Sequence, residues 1–217
     1  GAIFIGTGTW NPRKLKIKGE ALGNVHYAID YLKSPEYYKL GNKIIIIGAG
    51  NVAVDAARTM IRNGAKEVII LNREGESGIT ANKREFNDAV AEGLQVLNFK
   101  SVLEIKDDGV VLANTEIVEK DGNIDYDIDY STERFYKCDS VVVAISQGPR
   151  SNIVSTNKDL EINEKGLIIT NMDGSTTKKG VFSGGDVVTG AKTVVEAVKM
   201  SKIIAEKMDE YLKEEFN

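Results

Sequence analysis

The chain has 217 residues, 42% hydrophobic and 28% charged, a balance that suits one or two globular domains and argues against wholesale disorder. Its 32 acidic and 28 basic side chains leave a net charge of -4 with no long basic run, so nothing points to nucleic acid. No apolar stretch approaches the roughly 18 residues of a membrane-spanning helix, and the first residues lack the pattern of a signal peptide. A reducing, cytoplasmic setting is expected.

The chain opens with Ala2-Ile3-Phe4-Ile5, which reads as a buried strand. A loop from Gly6 to Gly19 follows, residues 23–33 read as a short helix, and Ser34-Pro35 signals a turn. Lys43 to Ile47 is a continuous β-branched run, as in a strand covered on both faces. Gly48-Ala49-Gly50 breaks it. Val52, Ala53, Ala56, Ala57, Met60 and Ile61 then recur at helical spacing, and Gly64 stands where a helix would stop. Val68 to Leu71 is the next apolar run, so the segment predicts a βαβ unit with parallel strands.

Residues 82–93 read as a helix ending at Gly93, and Gln95 to Phe99 as a strand. From 101 to 138 the pattern changes to short alternating strands, Val102–Ile105, Val110–Val118 and Arg134–Cys138, with Asp121-Gly122 as a hairpin turn. Ser140 to Ile145 is another buried strand. Further strands are expected near Leu167–Thr170 and at Gly180–Ser183, and an amphipathic helix from Ala191 to Tyr211.

Gly48-Ala49-Gly50-Asn51-Val52-Ala53 fits G-x-G-x-x-G/A. Gly48 permits a tight turn off the strand, Gly50 lets the backbone approach a diphosphate, and small Ala53 lets the helix pack close to the sheet. The unpaired amides and dipole at the helix start, at Asn51 and Val52, favour phosphate charge. The pattern sits between a strand and a helix with a second strand behind it, the context this chemistry requires. At the end of the second strand the chain reads Asn72-Arg73-Glu74, where Asn72 and Arg73 are expected to contact the coenzyme. Arg73 favours a 2′-phosphate and hence NADP, whereas Glu74 could repel that phosphate or take a 2′-hydroxyl. Near the C-terminus Gly184-Gly185-Asp186 again meets a helix, with Asp186 placed to accept hydrogen bonds from ligand hydroxyls.

Cys138 is the only cysteine and His26 the only histidine. One thiol makes neither an internal disulfide nor a four-thiolate cluster, and Cys138 reads as a packing residue. His26 has no ligand spacing around it. No catalytic side chain and no metal-ligand set is assigned. A dehydrogenase with its own acid or base lacks support, because no Tyr-x-x-x-Lys pair or His/Asp constellation follows the glycine turn.

Five ordered segments carry a resemblance: Ile5-Gly6-Thr7-Gly8, Gly48 to Arg58, Asn72-Arg73-Glu74, Ala144 to Pro149, and Gly184-Gly185-Asp186 with its helix. The chain resembles the small (beta) subunit of glutamate synthase and related NAD(P)H:flavin oxidoreductases. The resemblance implies an α/β fold in which a Rossmann-like NAD(P)H-binding domain, residues 41–145, is inserted into an incomplete FAD-binding domain made of residues 1–40 and 146–217. It implies that Asp186, Gly185, Thr193, Thr7 and Gly8 lie near FAD, and Ser146 and Gln147 near the junction of the two cofactor sites. Hydride would pass from NAD(P)H to FAD, and electrons onward to a partner of the iron–sulfur or glutamate synthase large-subunit type. The chain departs from the family in lacking the earlier G-x-G-x-x-G that binds the FAD diphosphate, in reading Arg73-Glu74 where two arginines are usual, and in having Ser146 where many members have glycine. FAD binding is therefore expected to be weak and the chain alone inactive. The alternative is a dinucleotide-binding module with no catalysis of its own.

Overall fold

A computed structural model describes residues 1–120, 123–150 and 157–216. In chain order the strands and helices are β1 (Ile3–Ile5), β2 (Asn11–Pro12), β3 (Val25–Tyr27), α1 (Ala28–Lys33), β4 (Lys43–Ile47), α2 (Asn51–Arg62), β5 (Glu67–Asn72), α3 (Lys83–Ala91) and β6 (Gln95–Asn98). There follow β7 (Lys100–Lys106), β8 (Gly109–Lys120), β9 (Asn123–Lys137), β10 (Ser140–Val143), β11 (Gln147–Gly148), β12 (Val181–Ser183), α4 (Asp186–Thr189) and α5 (Val194–Phe216). The chain divides into two compact units, Lys14–Ile145 and Gly1–Arg13 with Ser146–Asn217.

The unit of residues 14–145 is built on a parallel sheet of order β3-β10-β4-β5-β6. Its central strands are β-branched runs because both faces are covered. On one face Ile44, Ile46, Val68, Ile70 and Val142 pack against Ala53, Ala56, Ala57 and Met60 of α2, Tyr31 of α1 and Ala89 of α3. The alanines of α2 bring that helix close to the sheet. On the other face Ile45, Ile69, Leu71 and Val141 meet Ile105, Val110, Leu112 and Cys138. These last residues belong to, or directly follow, the antiparallel sheet β7-β8-β9. The result is three layers: helices, parallel sheet, antiparallel sheet. Each fully buried isoleucine contributes about 1.5–3 kcal/mol of transfer free energy. The helix α2 ends as expected: Gly64 takes φ +96° and the Ala65 amide returns to the Met60 carbonyl at 3.1 Å.

In the other unit β1 pairs in parallel with β12, and β2 pairs antiparallel with β11. Buried Ser183 donates from Oγ to the Ile5 carbonyl at 2.9 Å. Phe182 meets the Tyr211 ring edge-on, which fastens α5 to β12.

Several expectations are corrected. Residues 23–33 are not one helix: β-branched and aromatic Val25-His26-Tyr27 join the sheet beside β10, and only six residues form α1. That pairing moves the unit boundary from residue 41 to residue 14. The opening strand is not buried, since its one partner is β12 and Ile3 stays 60% exposed. Leu167–Thr170 forms only isolated bridges, Ile162 to Ile168 and Thr170 to Thr176. The closing helix runs Val194–Phe216 and is preceded by the unforeseen α4. β8 and β9 are longer than the alternation suggested, and Asp121-Gly122 lies outside the described residues. None of the described helices is long and apolar enough to cross a membrane.

Cys138 is buried, as its packing role requires, and His26 is half-buried. His26 meets Tyr38 edge-on at 5.4 Å, and burial lowers its pKa. Burial, followed by repulsion from Asp139, pushes the Cys138 thiol up to about 12. The folded protein should therefore resist thiol-specific disulfide reagents at pH 8 and react only on unfolding. Cys138→Ser should cost about 1–3 kcal/mol in urea unfolding, because it places a hydroxyl in an apolar cluster. Rapid labelling of the native thiol would contradict the packing assignment.

Candidate functional site

The strand order places a switch at β4: β5 and β6 lie on one side of it, β10 and β3 on the other. In open parallel sheets the crevice beyond the strand ends at such a switch is where ligands bind. The glycine turn stands there. The Gly48 amide donates to the Leu71 carbonyl at 3.2 Å, and the Ala144 amide donates to Ile47 at 2.8 Å, so the ends of β5, β4 and β10 converge.

The two glycines of the turn differ in kind. Gly48 adopts φ +115°, and a Cβ there would lie 2.5 Å from the Ala144 carbonyl oxygen. The fold itself requires glycine at 48. Gly50 has φ -90°, open to any residue, and a Cβ there would meet only Thr80 Oγ1, at 3.5 Å. Packing gives no reason for glycine at 50; close approach of a ligand does. Gly50 also caps α2 without a side chain, and the Asn51 and Val52 amides donate to no described residue. A helix of twelve residues thus points an open, partly positive end into the crevice. Ala53, fully buried, lies against the sheet as expected.

Around this turn the chain builds a collar that the sequence did not disclose. The Thr80 and Ala81 amides both donate to the Ala49 carbonyl, at 3.1 and 3.2 Å. The Asn82 amide donates to Asn51 Oδ1 at 2.7 Å. Asn82 Oδ1 in turn accepts from the Arg84 and Glu85 amides, at 2.9 and 3.3 Å, which closes the start of α3. At the far end of α3, Glu92 accepts from Arg58 at 2.7 Å and Arg62 at 2.6 Å. Those bonds, Arg58 foremost, hold its carboxyl down to about 2. α3 is thereby tied to α2 at both ends. The Asn82-to-Glu85 spacing is a helix-start signal in the sequence, but its contact with Asn51 spans 31 positions and has no local signature.

Two expected contact residues are already occupied. The Asn51 oxygen holds the collar. Asn72 is 5% exposed: its amide donates to the Gly75 carbonyl and to Asn98 Oδ1, and its oxygen accepts from the Glu74 amide at 3.2 Å. Asn72 therefore shapes the turn after β5. Arg73 projects from that turn, 63% exposed, with Nε 3.1 Å from Glu74 Oε1. Its carbonyl accepts from Thr115 Oγ1 at 2.6 Å, so β8 steadies the turn.

The remaining expected residues belong to the other unit. Gly8 takes φ +67°, and Thr7 beside it is exposed. Ser146 takes φ +107°, a region glycine favours and serine enters at a cost of about 1–3 kcal/mol. Its carbonyl accepts from the Arg13 amide at 3.1 Å, and Gln147 pairs with Pro12 in β11. Gly185 takes φ +74° with open space at its Cβ position, and Asp186 Oδ1 accepts from the Lys192 amide at 3.2 Å. Thr193 is spent on a capping box: its Oγ1 and amide bond Glu196 Oε2, and the Glu196 amide donates back to its hydroxyl. The start of α5 is consequently closed by its own side chains.

The profile of the pyridine nucleotide-disulphide oxidoreductase family matches residues 1–201. Glutamate synthase [NADPH] small chain of Halomonas elongata is 30% identical over 234 residues, covering 97% of this chain and 50% of the relative. NADP(+)-dependent formate dehydrogenase subunit beta of Moorella thermoacetica is 31% identical over 227 residues, covering 98% of this chain and 32% of the relative. The chain thus spans half the length, or less, of these curated relatives. The crystal structure of T. acidophilum thioredoxin reductase superposes with a TM-score of 0.75 at 21% identity, covering 98% of this chain and 66% of that one, and shows the shared fold.

The difference between the glycines is measurable. Gly48→Ala should destabilise the folded chain by at least about 2 kcal/mol, through positive φ and the clash at Ala144. Gly50→Ala should change stability by no more than about 0.5 kcal/mol. Thermal or urea unfolding of the two variants decides it; equal losses would show that packing, too, needs Gly50.

Proposed function

We propose, for a chain that belongs to the pyridine nucleotide-disulphide oxidoreductase family, that residues 14–145 hold the diphosphate of NAD(P)H on the open start of α2, within a flavin-dependent oxidoreductase that passes hydride from NAD(P)H to FAD and electrons onward to a partner. One observation carries the reading. Gly50 leaves a space beside unpaired amides that a Cβ would fill and that no described side chain occupies. A diphosphate fits that cradle in size, charge and hydrogen-bonding sense.

When bound, the nicotinamide supplies a hydride and the flavin ring receives it, so the protein's task is binding and orientation. The Asn51 and Val52 amides fix the diphosphate, and Ala53 allows α2 to stand close behind it. Asn72 sets the turn from which Arg73 reaches the ribose 2′ position. In the other unit, the residues that would hold FAD are Thr7, Gly8, Gly185 and Asp186, with Ser146 and Gln147 at the start of β11. The chain has a single G-x-G-x-x-G/A turn, so its own residues offer the FAD diphosphate no second glycine cradle. FAD affinity is accordingly weak. A partner of the iron–sulfur or glutamate synthase large-subunit type is supported by the relatives, whose names are those of subunits of multi-subunit enzymes.

Titration of the purified chain with NADH and NADPH, read by nucleotide fluorescence and thermal shift, tests the reading. Both should stabilise the protein, and Gly50→Ala should weaken binding at least about tenfold while the unliganded fold is retained. No binding of either coenzyme by the parent chain would end the proposal.

The choice between coenzymes turns on the Arg73–Glu74 pair. To grip a 2′-phosphate, Arg73 must release a carboxylate that itself repels the incoming anion. Glu74→Gln should move the NADPH-to-NADH affinity ratio toward NADPH by roughly fivefold, the scale of an exposed ion pair. Arg73→Ala should move it the other way. A ratio indifferent to both substitutions would place the 2′ position elsewhere.

A further inference from the structure

We infer that Thr80 is a phosphate ligand of the same cradle, its hydroxyl completing on the α3 side the hydrogen bonding that the α2 amides begin. The inference rests on the dinucleotide reading above and adds a residue that no G-x-G-x-x-G/A pattern contains.

Two helices start at this end of the unit, and they differ. Asn82 caps α3, accepting from its Arg84 and Glu85 amides, so that start has little left for an anion. α2 is open, with Gly50 contributing no side chain. Between the two starts lies the collar of residues 79–82, drawn over the glycine turn by three successive amide donors. Thr80 and Ala81 bind the Ala49 carbonyl, and Asn82 binds Asn51 Oδ1. Three bonds in consecutive residues fix the Thr80 backbone relative to α2.

From that fixed position the Thr80 hydroxyl reaches the space beside Gly50. Apart from Gly50 and the chain adjoining it, Thr80 Oγ1 is the one heavy atom of the described residues within 4 Å of the point a Gly50 Cβ would occupy, at 3.5 Å. Thr80 Oγ1 makes no hydrogen bond to a described residue, and its side chain is exposed. A phosphate oxygen accepting from the Asn51 and Val52 amides enters the space that this hydroxyl faces. A hydroxyl donates to a phosphate oxygen without charge of its own, and it does so without competing with the amides. Lys83 and Arg84 stand exposed on the first turn of α3. The collar bonds also explain why Asn51 turns its oxygen away from the ligand: that oxygen holds the loop that carries Thr80.

The test uses the full chain with Thr80→Val and Thr80→Ser. Dissociation constants are measured for NADH, NADPH and ADP-ribose, a probe that keeps the diphosphate and lacks the nicotinamide. Thr80→Val should weaken all three about tenfold, the loss of one charge-assisted hydrogen bond, and Thr80→Ser should restore most of the affinity. The melting temperature without ligand should be the same in all three proteins, since the side chain makes no bond within the fold. Three results would overturn the inference: Thr80→Val affinities equal to the parent's, a loss confined to NADH and NADPH with ADP-ribose spared, or no rescue by serine. Failure of the parent to bind any of the probes would instead remove the dinucleotide reading itself, which keeps the two claims separable.

Discussion

The close contact between Gly48 and the end of β10 governs the site. Gly48 must pass within van der Waals contact of the Ala144 carbonyl at positive φ, and its amide must reach Leu71. Those demands bring β4, β5 and β10 to a common edge and aim the chain into α2. Once the turn is fixed, the start of α2 cannot be sealed by its own cap, because glycine occupies the cap position. Strand packing thus sets where the helix start stands, at the switch point of the parallel sheet, and Gly50, which packing does not require, leaves it unsatisfied. A ligand that supplies negative oxygens recovers the hydrogen bonds left open there.

The rest of the unit keeps that edge rigid. The parallel sheet is covered on one side by helices and on the other by the antiparallel sheet, so each central strand is held by side chains above and below it. α3 is held at its start through Asn82 and at its end through the Arg58–Glu92–Arg62 cluster, whose two guanidinium groups keep Glu92 ionised well below the usual carboxylate range. Exposed ion pairs contribute little to stability singly, but a carboxylate shared by two arginines fixes the register of one helix on another. The collar of residues 79–82 inherits its placement from these ties.

What the sequence disclosed follows from how far each signal reaches. The strand–turn–helix–strand over residues 43–72 was legible because β-branched runs, small residues at helical spacing and glycines at both helix ends act locally. β3 was missed because Val25-His26-Tyr27 is too short to show a period, and its strand character comes from pairing with β10, more than a hundred positions away. The unit boundary was misplaced for the same reason. Position in a motif does not show where a side chain's hydrogen bonds go: the Asn72 and Asn51 side chains are spent on turns, with partners such as Asn98 and Asn82 that lie elsewhere in the chain, while the Asn51 amide stays open. Ser146 is the converse case. A serine where related chains often have glycine is only a departure in sequence, and the φ of +107° shows what the departure demands of the backbone.

The two units differ in how they treat their helix starts, and this sets what each can recognise. α2 leaves its amides open, so the 14–145 unit offers an anion a prepared set of donors. α5 closes its first turn with the Thr193–Glu196 box, and Asp186 spends one oxygen on the Lys192 amide. With Val194 and Val195 exposed inside the box, the start of α5 presents apolar surface in place of free donors. What this unit offers there is the second oxygen of Asp186, the backbone around Gly184-Gly185 and the apolar surface of the valines. Contacts of that kind orient hydroxyls and cover a ring, but they do not hold a diphosphate. Of the two helices, it is α2 that leaves its first amides open to an anion.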